Sequence, residues 1–130
     1  MRTRYHINDP ERAHFITGTI VNWLPVFATS ACADILVSSL VHCREQRGLK
    51  IYAWVVLDTH FHAILGGPEL ERTITAIKRH TSLVLLEQVK LEGREWLMNQ
   101  LVPKLQFGNE GVSSIDSLET RKRVLPKNRP

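Results

Sequence analysis

The chain has 130 residues, the length of one ordinary domain, and 43% of them are hydrophobic, which is enough for one compact core. No segment approaches the roughly 18 consecutive apolar residues of a membrane span, and the polar N-terminus lacks the apolar region of a secretory signal peptide, so a cytoplasmic protein is expected. The 17 lysines and arginines exceed the 13 acidic residues and give a net charge of +4, which permits a polyanionic partner without requiring one.

The first part of the chain predicts a strand followed by a helix. Residues 13–23 are rich in Phe, Ile, Thr and Val and predict the first strand. Residues 30–47 predict a helix that Thr29 or Ser30 can cap. The two cysteines fall on the apolar face of this helix and are interpreted as small core residues rather than a redox pair: Cys32 and Cys43.

The middle of the chain predicts two strands and a second helix. Residues 50–57 and 60–67 are apolar runs joined by a short polar break, which favours an antiparallel hairpin. Residues 69–92 carry apolar side chains at helical spacing. The order strand, helix, strand, strand, helix predicts an α+β sandwich of ferredoxin-like type. Two helices would pack on one face of an antiparallel sheet that lacks its final strand.

The C-terminal part differs in character. Trp96, Leu97, Met98 and Leu101 either continue a short helix or pack back on the core. Beyond them no helical or strand period is sustained, which predicts a disordered tail. The predicted organisation is an N-terminal arm over residues 1–12, an incomplete domain over 13–102 and an irregular basic tail over 103–130.

The pair His60 and His62 is the sharpest candidate for chemistry. On a strand, residues two apart point to the same face with Cα atoms roughly 6.5 Å apart, so both imidazoles can ligate one divalent cation. Such a metal keeps open positions for phosphate oxygens and can polarise a phosphodiester, although imidazole suits several metals. The alternative is that two of the six histidines face solvent or cap the sheet by chance.

The surrounding sequence resembles the IS200-like transposases, which include the REP-associated tyrosine transposases, in the HUH superfamily of single-strand nucleases. Residues 51–65 match the family's central hairpin, with a hydrophobic strand, a short polar turn and His-Phe-His. Residues 15–19 and 23–27 resemble its opening strand and loop, and residues 77–82 resemble its second helix. Thr59 stands where the family often has Asn.

The resemblance implies a protein that binds single-stranded DNA folded into imperfect hairpins. It implies metal-dependent strand cleavage and transfer through a tyrosine, with Mg²⁺ or Mn²⁺ held by His60 and His62 against the scissile phosphate. Family members usually act as homodimers. Separately, Lys78 and Arg79 form a basic cluster on the predicted second helix and are candidates for phosphate contacts, with a merely solvated helix face as the alternative.

The sequence departs from this family at the nucleophile. The family's tyrosine lies on a third helix, near an Asn or Gln that completes the metal site. This chain holds only Tyr5 and Tyr52, and no matching third helix is evident after Gly93. Tyr52 alternates with residues of a predicted strand and is interpreted as core or sheet surface. No catalytic residue is therefore assigned, and the hypothesis is a C-terminally truncated or frameshifted family member.

Three interpretations remain. The first is a transposase domain that keeps its metal site and has strand cleavage as its ancestral chemistry. The second is a non-catalytic remnant that binds hairpins of single-stranded DNA or RNA, and the third is an unrelated ferredoxin-like domain. Two further features stay open: His14 either approaches the hairpin or lies at the surface, and Trp23 and Trp54 either stack on unpaired bases or pack in the core.

Overall fold

The structure is a computed structural model that describes residues 12–106 and 118–124, with side chains over 12–101. The first half of the chain forms β1 (His14–Ile20), α1 (Ser30–Gln46) and β2 (Lys50–Val56). The second half forms β3 (His60–Gly66), α2 (Leu70–Leu91), α3 (Glu95–Gln106) and β4 (Leu118–Val124). Two short 3₁₀ turns, Val21–Trp23 and Val26–Ala28, connect β1 to α1. Thr29 caps α1 by accepting a hydrogen bond from the Cys32 N–H, as its residue type predicts.

The strands form one antiparallel sheet in the order β2-β3-β1-β4. With helices between β1 and β2 and between β3 and β4, this is the strand order of a ferredoxin-like sandwich. The predicted fold class is therefore confirmed. β1 lies at the centre between β3 and β4, so its residues are paired on both sides.

The core lies between the sheet and the helices. Every second residue of β1 is buried, and on β3 the buried residues alternate with half-exposed ones up to Leu65. These buried side chains pack with the apolar stripes of α1 and α2, which include Leu36 and Ile77. Both cysteines are buried in this cluster, so their interpretation as core residues is confirmed. The other face of the sheet, called the open face below, carries the half-exposed residues of β1 and β3.

The C-terminal elements correct two predictions. The sheet does not lack its final strand, because β4 pairs along the whole of β1. β4 escapes a search for apolar alternation because four of its seven residues are charged, a composition that suits an edge strand. The prediction of an irregular tail is thus wrong for residues 118–124, while residues 107–117 and 125–130 lie outside the described part of the chain.

The second correction concerns the segment after Gly93. Of the two alternatives left open for this segment, the structure shows the helix: α3 spans Glu95–Gln106, and it crosses the predicted domain boundary between residues 102 and 103. Only Leu97 and Leu101 of its described side chains are buried, one turn apart, which is too short a pattern to predict a helix. Among the described residues, no helix is long and apolar enough to cross a membrane.

Candidate metal and nucleic-acid site

β3 places His60 and His62 side by side on the open face. Both side chains are half-exposed, whereas Phe61 between them is buried in the core. In the antiparallel register, Thr19 of β1 lies opposite His60 and Thr17 lies opposite His62. The strand period therefore brings the two imidazoles together as the sequence predicts, with their ring centroids 4.9 Å apart.

Two threonine hydroxyls hold the imidazoles by the same ring nitrogen. The Nδ1 of His62 lies 3.0 Å from Oγ1 of Thr17, and the Nδ1 of His60 lies 3.0 Å from Oγ1 of Thr59. When Nδ1 carries the proton and donates it to the threonine oxygen, Nε2 presents its lone pair outward. A metal-binding histidine usually has such a hydrogen bond on its other ring nitrogen, with a carboxylate, a carbonyl or a water as the partner, and here a threonine hydroxyl takes that place. The two residues therefore fit a divalent metal as two of its ligands.

Aromatic rings flank this pair at both ends. The ring of Phe15 stacks on His62 with centroids 5.2 Å apart, and the ring of Trp23 meets His60 edge-on with centroids 5.4 Å apart. Four rings thus form a row across the open face, in the order Trp23, His60, His62 and Phe15. We call this set the aromatic row.

Backbone hydrogen bonds fix the loop after β1 to the β2–β3 hairpin. The N–H of Ile20 donates to the carbonyl of Thr59 at 2.9 Å, and the N–H of Phe27 donates to the carbonyl of Asp58 at 2.9 Å. The hairpin itself closes through the N–H of Leu57, which donates to the carbonyl of His60 at 2.7 Å. The loop that carries Trp23 is therefore held by the same turn that leads into the histidines.

A charged cluster holds the other side of this loop. Arg94 donates to the backbone carbonyls of Pro25 and, at 3.1 Å, of Val26, and it also pairs with Glu92 at 3.2 Å. Thr29 donates to the same carboxylate at 2.9 Å. Burial raises the pKa of Glu92, but the hydrogen bonds from Thr29, Gln88 and Arg94 outweigh it and lower the pKa below its ordinary value. We call Glu92 and Arg94 the clamp.

The predicted basic residues do not join the histidines. Lys78 and Arg79 lie on α2, in the helical layer, on the side of the sheet away from the open face. The Lys78 side chain is buried and Arg79 is exposed. The structure therefore separates this candidate phosphate contact from the candidate metal ligands by the thickness of the sheet.

The tyrosines are not brought to the histidines among the described residues. A register shift between Ile51 and Ala53 interrupts the alternation predicted for Tyr52. The Tyr52 ring lies against Gly66, which is four residues along β3 from His62, roughly 13 Å away at the rise of a strand. Tyr5 lies outside the described residues.

Other candidates are resolved in part. His14 does not lie at the surface, because it is 2% exposed on the core side of β1, and it pairs with Leu65 on the second strand of the hairpin. Trp23 and Trp54 are 63% and 52% exposed, so neither is a core residue. Within the described residues, no group of three His, Cys, Asp or Glu side chains is placed to hold a metal. His60 and His62 therefore form a pair without a third such ligand in this part of the chain.

Sequence reasoning missed the residues that support the pair. Thr17 and Phe15 belong to β1, and their positions depend on the register between β1 and β3, which no local pattern gives. Gly18 was likewise missed. A Cβ on Gly18 would lie 2.1 Å from Cε1 of Phe61, so only glycine lets this ring cross β1.

Two solved structures are similar to this chain in fold. The structure of a REP-associated tyrosine transposase bound to a REP hairpin aligns with 98% of this chain at a TM-score of 0.62 and 15% sequence identity. The chain has the fold of this transposase. It spans 64% of that protein's length. The structural similarity agrees with the family resemblance read from the sequence.

A second solved structure is also similar in fold, whereas two comparisons by sequence find no match. A candidate transposase from Deinococcus radiodurans R1 aligns with 66% of this chain and 68% of its own, with a TM-score of 0.51 and 17% identity. No protein-family model and no curated protein matches the sequence. The relationship is therefore one of fold across most of the chain.

Proposed function

We propose that this chain binds single-stranded DNA folded into hairpins and holds a divalent metal, Mg²⁺ or Mn²⁺, through His60 and His62. The observation that carries the proposal is the pair of imidazoles on the open face, each with Nδ1 held by a threonine hydroxyl. The likeness to a transposase bound to a REP hairpin supports DNA hairpins as the partner. A protein with such a partner would work in the cytoplasm.

The residues around the two histidines each have a definite part in this proposal. Thr17 and Thr59 fix the two rings so that Nε2 of each is directed away from its threonine. A bound metal supplies positive charge that attracts a phosphate and polarises its P–O bonds. Phe15 covers one side of His62 and limits its movement. The site then holds a phosphodiester in place.

Strand cleavage needs a further group. A tyrosine hydroxyl would have to reach the phosphate, and Tyr52 lies too far along the sheet to do so. Cleavage and transfer are therefore proposed only with Tyr5, which lies outside the described residues, or with a tyrosine of a partner protomer. The hypothesis of a truncated or frameshifted gene stays a prediction, and reading all three frames downstream of about codon 100 tests it. Finding no helix with a tyrosine and a following Asn or Gln would contradict it.

The metal site can be tested by titrating the protein with Mn²⁺ and measuring the electron paramagnetic resonance signal of the free ion. We expect saturable binding by the wild-type chain and none by the His60→Ala/His62→Ala variant. His42→Ala is the matched control, because His42 is exposed on α1 in the helical layer. Equal Mn²⁺ binding by the double variant and the control would overturn the metal site.

DNA binding and covalent chemistry need separate readouts in the same tubes. We expect labelled hairpin DNA with an unpaired tail to bind in Mn²⁺, more weakly as salt rises. A denaturing gel then shows whether any DNA is covalently attached. Binding without an adduct supports the non-catalytic candidate, a metal-dependent adduct supports the transposase candidate, and tighter binding of the matching RNA hairpin would contradict DNA as the partner.

Two parts of the proposal concern surfaces away from the histidines. If Arg79 contacts a phosphate, Arg79→Ala should lower the slope of log affinity against log salt by about one.

A homodimer is also proposed, because β2 is an edge of the sheet and exposes the apolar residues Tyr52, Trp54 and Val55. Light scattering on the purified chain tests it, and a mass of one chain at all concentrations would contradict it.

A further inference from the structure

Trp23 is held in an unusual backbone conformation beside the histidines. Asn22 and Trp23 have φ angles of 54° and 55°, in the left-handed region that L-residues with a Cβ rarely adopt. They are the only non-glycine residues with positive φ in the described part of the chain, and they are adjacent. Such strain persists where the surrounding structure enforces it, and it concentrates at functional sites.

The surroundings of Trp23 enforce that conformation from both sides. The backbone bonds from Ile20 to Thr59 and from Phe27 to Asp58 anchor the loop to the hairpin before and after Trp23. The clamp holds the carbonyls of Pro25 and Val26, just beyond it. The position of the indole is therefore fixed relative to His60.

Core packing does not account for the indole. The Trp23 side chain is 63% exposed, and among the described rings its contact is with His60, edge-on at 5.4 Å between centroids. Phe15, at the other end of the aromatic row, is only half-exposed. Trp23 thus presents a large aromatic surface to solvent at one end of the aromatic row.

We propose that Trp23 is a stacking platform for the nucleobase next to the phosphate held at His60 and His62. This inference rests on the proposed function and adds a binding subsite to it. Aromatic side chains bind unpaired bases through their faces with little dependence on sequence. An indole anchored one ring away from the phosphate position would set which nucleotide of a single strand lies at the metal. Trp23 would then fix the position of the strand.

The test uses a DNA hairpin with an oligo(dT) tail in Mn²⁺. We expect Trp23→Ala to weaken binding by roughly 5- to 150-fold, the range measured when a stacking aromatic is removed. Trp23→Phe should keep most of the affinity, because a phenyl ring still stacks. Trp96→Ala is the matched control, since Trp96 is 61% exposed but lies on α3.

An abasic nucleotide moved along the tail shows whether the lost contact is to a base. At one position in the tail, the abasic nucleotide should weaken binding by the wild-type chain. At that same position it should not weaken binding by Trp23→Ala any further, because both changes remove the same stack. Equal binding by Trp23→Ala and wild type, or an abasic cost that persists in Trp23→Ala, would overturn the subsite alone. Loss of Mn²⁺ binding by Trp23→Ala without DNA would make Trp23 a positioning residue instead. Failure of the wild-type chain to bind the hairpin would remove the proposed function and the subsite together.

Discussion

Gly18 gives a test of how β1 and β3 fit together. A methyl group there would lie 2.1, 2.5 and 2.8 Å from three carbons of the Phe61 ring, all far inside normal contact distance. Phe61 is 3% exposed and packs edge-on against Phe27, so its ring has little room to move. Overfilling a packed core costs about 1–3 kcal/mol. The loss of a flexible glycine from the unfolded chain offsets about 0.4–1 kcal/mol of that cost.

Gly18→Ala should therefore lower the free energy of unfolding by about 1–2 kcal/mol. Urea unfolding followed by circular dichroism measures it, with Phe61→Leu and the double variant beside it. Phe61→Leu alone destabilises because it leaves a cavity. The double variant should be more stable than the sum of the single changes predicts, by at least about 0.5 kcal/mol, since the smaller side chain makes room for the methyl group. A stable Gly18→Ala, or strict additivity, would refute the steric explanation.

Three further outcomes are expected. Thr17→Val removes the hydrogen-bond partner of His62 and should weaken Mn²⁺ binding by about 10–100-fold. Thr19→Val, two residues along β1, should leave Mn²⁺ binding unchanged. Equal losses by the two variants in the metal titration would contradict the role of Thr17. Because the pKa of Glu92 is lowered in the fold, its contribution to stability is present above its ordinary value of 4.5 and disappears as pH falls through the folded pKa. Wild type should therefore lose more stability than Glu92→Gln in urea melts below about pH 4.5, and parallel pH profiles would count against the clamp. Burial raises the pKa of the Cys32 and Cys43 thiols, so iodoacetamide should label both slowly at neutral pH and rapidly in urea; fast labelling of the folded chain, read by mass spectrometry, would show that they are accessible.

The sequence predicted the elements whose signals are local. The bounds of α1, β2, β3 and α2 lie within a few residues of their predicted positions, because each has a cap, a glycine stop or a continuous apolar run. His60 and His62 share a face because the period of a strand requires it. The fold class followed from the order of these elements.

The remaining features depend on contacts between distant parts of the chain. The bonds of Thr17 to His62 and of Arg94 to the loop join residues 45 and 68 positions apart. β4 is recognisable only through its pairing with β1, because its charges hide any alternation. The separation of Lys78 from the histidines likewise appears only once α2 is placed behind the sheet. No single-sequence pattern encodes such distances.

The clamp has a consequence for the order in which the site can be completed. The two histidines are synthesised before α2, but the loop that carries Trp23 is tied down by Glu92 and Arg94, which follow that helix. A nascent chain that has exposed only β1 to β3 contains both histidines and the hairpin residues that bind this loop, Asp58 and Thr59, but not yet the clamp. The second anchor of the Trp23 loop therefore forms only after residue 94 has left the ribosome.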